Sequence, residues 1–128
     1  FWESAKEALA IGKQLGHKVI LLSTSTGGTV ALKLAADFKQ DVFALINMSP
    51  NIAINDNAAF ILNDPWGLSI ARIVKNGNYH ITGADTAAMQ YWNKKYRLES
   101  LVQLQQLVET TMTEQTFKNV TQPCLTLY

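Results

Sequence analysis

The chain is 128 residues long, a length for about one domain. Hydrophobic residues make up 48% of it and charged residues 16%, which excludes a disordered tail or a charged coiled coil. Eleven Lys and Arg against ten Asp and Glu leave a formal charge of +1, too small a basic surplus to neutralise a row of phosphates, so nucleic acid is not an expected partner.

Cys124 is the one cysteine, so an internal disulfide and a CxxC metal pair are both excluded. His17 and His80 are too far apart in sequence to form a local zinc cluster. No metal and no cofactor is expected. No apolar run approaches the roughly 20 residues of a membrane span. No signal or transit peptide is visible, and a cytoplasmic location is expected. Phe1-Trp2-Glu3 reads as the inside of a helix, and Pro123 to Tyr128 reads as an interrupted strand. The expectation is a fragment of a longer chain.

Residues 3–15 place Ala5, Ala8, Leu9, Gly12 and Leu15 on one face and most charges elsewhere, which predicts a helix. Gly16 is expected to be its left-handed stop. Lys18-Val19-Ile20-Leu21-Leu22 follows, apolar without alternation, as a strand covered on both faces should be. A run of small residues, Ser23-Thr24-Ser25-Thr26-Gly27-Gly28, leads into a second helix through Val30, Ala31, Leu34, Ala35 and Phe38. Asp41 marks a turn before a second buried strand, Val42 to Met48. Strand, tight turn, helix and strand in about 30 residues make a βαβ unit with parallel strands.

The third strand, Cys124 to Tyr128, comes much later than a crossover of about a dozen residues requires. Residues 55–121 are therefore expected to be an insertion. Asp64-Pro65 predicts a helix start that runs to Asn76-Gly77. Further helices are expected from Asp85 to about Lys95, from Glu99-Ser100 along the Leu101, Leu104, Leu107 and Val108 stripe, and over Glu114 to Lys118. Three parallel strands leave both edges open, a second reason to expect more strands outside residues 1–128. The fold class read from this order is α/β with a parallel sheet.

The turn from Leu22 to Gly28 is the segment that carries chemistry. A strand that turns directly into a helix pushes the central residue into a strained conformation and brings its −2 and +2 neighbours together. Here those are Ser23 and Gly27 around Ser25, with Gly28 letting the helix start pack closely. Such a turn exposes the Ser25 hydroxyl and points the Thr26 backbone N–H, at the positive helix end, toward the same space.

This segment resembles the nucleophile elbow G-x-S-x-G of the α/β-hydrolase family, with Ser23 in place of the first Gly. The approach to the last strand, Phe117 to Leu127, resembles that family's seventh strand. The likeness is greatest to the esterase and monoacylglycerol-lipase-like branch. The resemblance implies a partial α/β-hydrolase core over 1–54, a helical cap or lid over 55–121, and a truncated core strand over 122–128. It implies Ser25 as nucleophile and the Thr26 N–H as oxyanion donor. It also implies that the acid and the histidine follow the seventh and eighth strands, outside this chain. Ser23→Gly, which restores the family residue, is expected to be nearly neutral.

Other candidates carry two readings. His17 and His80 read first as a surface and a structural residue, and Asp56 is a candidate acid placed early. Met48, Trp66 and Trp92 are candidate substrate contacts, and Met89, Tyr91, Tyr96 and Met112 join them as an acyl pocket or as the cap's own core. Cys124 reads as a small buried hydrophobe. Asn47-Met48-Ser49 and Asn119-Val120-Thr121 match the glycosylation sequon. The first functional reading is a serine hydrolase acting on small-molecule carboxylic esters. The second is a non-catalytic hydrolase-like binding protein. A nucleotide-binding βαβ protein is the third, but Walker A and G-x-G-x-x-G are both absent. Oligomeric state is not readable.

Overall fold

The computed structural model of the chain describes residues 1–53, 64–81, 91 and 93–128. The chain divides into two compact units, Phe1–Ala53 with Leu107–Tyr128, and Ile54–Gln106. The first unit holds helix α1 (Trp2–Leu15), strand β1 (Val19–Thr24), helix α2 (Thr26–Asp37) and strand β2 (Val42–Met48). It also holds helix α5 (Glu114–Asn119) and strand β5 (Cys124–Leu127). The three strands form one sheet in the order β1-β2-β5. Both pairings are parallel, as the helical crossover between the first two requires. The architecture is α/β.

The core of this unit is aliphatic and lies between the helices and one sheet face. Leu9 of α1 and Ala31, Leu32, Leu34 and Ala35 of α2 pack with Val42 and Leu45 of β2. Val19, Leu21, Phe38, Met112 and Val120 close around them. The small Ala31 and Ala35 let α2 approach the strands closely, and Ala35 is fully buried. α5 packs against α2, so it belongs to the sheet unit and not to the insertion expected over 55–121. Gln122 fastens the approach to β5: its Nε2 donates to Ala35 O at 2.9 Å and to Lys39 O at 3.1 Å, which satisfies carbonyls at and beyond the α2 C-terminus.

Two local expectations differ from the structure. Gly16 is extended (φ −157°, ψ 161°), not left-handed, because the chain leaves α1 directly toward β1. The strands read as covered on both faces, yet burial alternates along β1. The covered face carries Val19 and Leu21, and the other carries exposed Ile20, Leu22, Met48, Leu125 and Leu127.

In the second unit, helix α3 (Gly67–Val74) starts two residues later than Asp64-Pro65 predicts. Asp64 O instead accepts the Gly67 N–H at 2.9 Å in a preceding turn. The helix stops as expected, with Asn76 (φ 49°) and Gly77 (φ 157°) at positive φ. Strands β3 (Tyr79–Ile81) and β4 (Lys95–Arg97) form an antiparallel pair that the sequence pattern did not predict. Lys95 therefore lies in a strand, and most of the helix expected from Asp85 lies outside the described residues. Helix α4 (Leu98–Thr111) follows β4 and begins where predicted.

Glu99, in the first turn of α4, accepts from Arg72 at 2.8 Å and Arg97 at 3.3 Å. Its carboxyl is held below the usual range, first by a backbone hydrogen bond at Glu99 itself and then by the Arg72 and Arg97 side chains. A depressed carboxyl contributes stability that is present above the ordinary glutamate pKa and lost as pH falls through the lowered one. Wild type is therefore expected to melt above Glu99→Gln at neutral pH, with the gap closing in acid below about pH 4. A gap of equal size at both pH values would contradict this role.

Of the glycines in the first unit, Gly28 has the least room for a side chain. A Cβ there would lie 2.5 Å from Pro50 Cβ and 2.9 Å from Pro50 Cα, whereas at Gly27 the nearest atom is Ser23 Cβ at 3.7 Å. Gly28→Ala is expected to cost about 1–3 kcal/mol by forcing the backbone at Pro50 aside. Gly27→Ala should change stability by less than about 1 kcal/mol, since the site has room and alanine favours the helix. Urea unfolding of the two variants measures the difference, and equal costs would contradict it.

Candidate active site

β1 delivers the chain to Thr24, and α2 begins at Thr26. Ser25 alone makes the turn, with φ 51° and ψ −124°, outside the α, β and left-handed helical regions. A backbone of this kind costs about 1–3 kcal/mol and persists only where its surroundings over-determine it. Those surroundings are hydrogen bonds to both of its backbone groups. The Ser25 N–H donates to Met48 O at 3.0 Å. Its carbonyl accepts from the Gly28 N–H at 2.9 Å and the Asn51 N–H at 3.1 Å. The Ser25 side chain makes no capping bond, and the residue is half-buried.

The loop after β2 fixes this turn from outside. Ser49 takes φ 44°, and its N–H donates to Leu127 O at 2.7 Å, carrying the β2–β5 ladder one step further. Pro50 is buried against Gly28. Asn51 then donates its Nδ2 to Thr26 Oγ1 at 3.1 Å, and its carbonyl accepts from Thr29 Oγ1 at 2.5 Å. Thr29 is fully buried, so this bond is how its hydroxyl is satisfied.

A polar row crosses the covered sheet face one step below the turn. Ser23, Asn47 and Thr126 stand at the same register level on β1, β2 and β5. Ser23 Oγ donates to Asn47 Oδ1 at 2.6 Å, and Asn47 Nδ2 donates to Cys124 Sγ at 3.5 Å. Asn47 is fully buried, so it is sealed from glycosylation in the folded chain despite its sequon. Cys124 is exposed, contrary to its reading as a buried hydrophobe, because it lies on an edge strand.

Of the other candidates, Thr26 is half-buried and, as the first residue of α2, has a backbone N–H without an intrahelical partner. Met48 adjoins the turn, paired with Thr24 in register and bonded through its carbonyl to Ser25. Trp66 belongs to the second unit and is exposed. Trp92, Met89 and Asp56 lie outside the described residues. His17 precedes β1 and so stands at the opposite end of that strand from Ser25, with the whole strand, about 20 Å at roughly 3.3 Å per residue, between them. His80 is in β3 of the second unit, opposite Tyr96.

Asn47 and Asn51 are the residues that sequence reasoning missed. An asparagine inside a buried apolar strand was the available signal for the first. Asn51 had none, since its partners are 22 and 25 positions away. No family model matches the chain, and no curated protein and no solved structure matches it either.

The bond to Asn47 gives Ser23→Gly an expected cost in stability, whatever its effect on activity. Removing the hydroxyl leaves Asn47 Oδ1 buried without its donor, and the expected loss is about 1–3 kcal/mol. Denaturant unfolding of Ser23→Gly checks this, with Ser23→Thr as the variant that keeps the donor. A glycine variant as stable as wild type would contradict it.

Proposed function

We propose that residues 1–128 carry the nucleophile of a serine hydrolase of the α/β-hydrolase kind, acting on carboxylic esters. The observation that supports this most is the backbone of Ser25: a strained serine, alone between a parallel strand and a helix, held on both its N–H and its carbonyl. In this reading Ser25 Oγ attacks the acyl carbon, a histidine takes its proton, and the Thr26 N–H binds the oxyanion that forms. The helix start contributes positive potential where that charge develops. The histidine and its acid partner come from outside residues 1–128, so these residues alone are not expected to turn over. Met48 is a contact for an apolar acyl group in this reading.

A non-catalytic scaffold of the same fold is the second reading. The observation that favours it is the position of His17, at the far end of β1 from Ser25. One comparison separates the two. In the full-length protein, Ser25→Ala is expected to keep the melting temperature near or above wild type and to lower ester hydrolysis by about 10⁴-fold or more. Undiminished hydrolysis in that variant would remove Ser25 from the mechanism.

A further inference from the structure

We propose that Asn51 is a positioning residue that sets the direction of the Thr26 N–H through the Thr26 side chain. The inference rests on Ser25 being the nucleophile. Ser25 O and the Thr26 N–H belong to one peptide unit. The chain's described peptide bonds include no cis form, so the two groups lie in a single plane and point in opposite directions within it. The backbone bonds to the carbonyl set this plane to first order, and a hold on Thr26 limits the rocking that they still allow. Asn51 grips this unit twice. Its N–H donates to Ser25 O at 3.1 Å, and its Nδ2 donates to Thr26 Oγ1 at 3.1 Å. The first contact turns the carbonyl toward the β2 loop. The second holds the residue that carries the N–H.

The two contacts differ in what they demand of the sequence. Any residue except proline supplies the N–H, and any residue supplies the carbonyl that accepts from Thr29 Oγ1. Only the side-chain bond to Thr26 Oγ1 asks for a short amide. A truncated side chain at position 51 thus keeps the contacts that tie the loop to α2 and loses only the grip on Thr26. An oxyanion donor acts by being aimed before the charge forms, so small freedom in this plane weakens it without unfolding the turn.

A double-mutant cycle in the full-length protein tests the proposal. Asn51→Ala is expected to lower kcat by about tenfold to a hundredfold with KM nearly unchanged, less than deletion of a whole oxyanion donor. Thr26→Ala keeps its backbone N–H but removes the acceptor, so adding Asn51→Ala to it should cost less than about twofold more. Thr26→Ser keeps the acceptor, and in that background Asn51→Ala should cost what it costs in wild type. The same cycle read as hydrogen exchange of the Gly28 amide, which is bonded to Ser25 O, needs no turnover: Asn51→Ala should speed exchange about tenfold, and not further in Thr26→Ala. An Asn51→Ala variant with unchanged kcat and unchanged exchange overturns the proposal, as does an equal penalty in the Thr26→Ala background. Hydrolysis that survives Ser25→Ala is a different result: it removes the nucleophile reading, and with it the catalytic half of the proposal.

Discussion

The peptide unit between Ser25 and Thr26 is the constraint on which the rest of the first unit depends. Its carbonyl is held by Gly28 from within α2 and by Asn51 from the β2 loop, while the Ser25 N–H is held by Met48 at the end of β2. The turn is therefore not a property of the local sequence alone. β1 and α2 supply the chain direction, and β2 with the loop after it supplies two of the three bonds that keep Ser25 at φ 51°. Strain at one residue is offset by contacts that are reached only when the parallel pair has formed.

Several residues that look separate in sequence serve this one arrangement. Gly28 is small because Pro50 lies against it, and Pro50 leads directly to the bonded Asn51. Ser49 adopts a positive φ where the last ladder bond to β5 is made, one residue before that proline. Below them, Ser23 and Asn47 join β1 to β2 with a buried side-chain bond, and Asn47 reaches Cys124 of β5. A buried polar row of this kind favours one register, since a slip by two residues, which keeps Asn47 on the same face, would leave it unsatisfied among aliphatic side chains.

Much of the first unit was legible because its signals are local. The helical spacing of Ala5, Leu9 and Gly12 predicted α1, and the apolar runs at 19–22 and 42–48 predicted parallel strands joined through α2. The strain at Ser25 was legible from the small residues around it. The partners were not, because Asn51 to Thr26 and Asn47 to Cys124 are bonds between distant positions whose residue types carry no periodic signal. Two-sided burial of the strands was read from composition: Ile20 and Leu22 are as apolar as Val19 and Leu21, but within residues 1–128 the face that carries Ile20 and Leu22 is exposed. The β3–β4 pair was missed because three-residue strands show too little alternation to register against a helical pattern. α5 was assigned to the insertion by its place in the chain, and its packing on α2 assigns it to the sheet unit.

The claim at the centre of this account is that the strained serine is an activated acyl acceptor, and chemical trapping tests it most directly. A fluorophosphonate reacts with a serine only where a base takes the proton and oxyanion donors receive the phosphoryl oxygen. Treatment of the full-length protein, followed by peptide mass spectrometry, should place one adduct on Ser25, and prior heat denaturation should abolish it. An adduct on another residue of the native protein, or a native protein that Ser25 leaves unlabelled, would contradict the account.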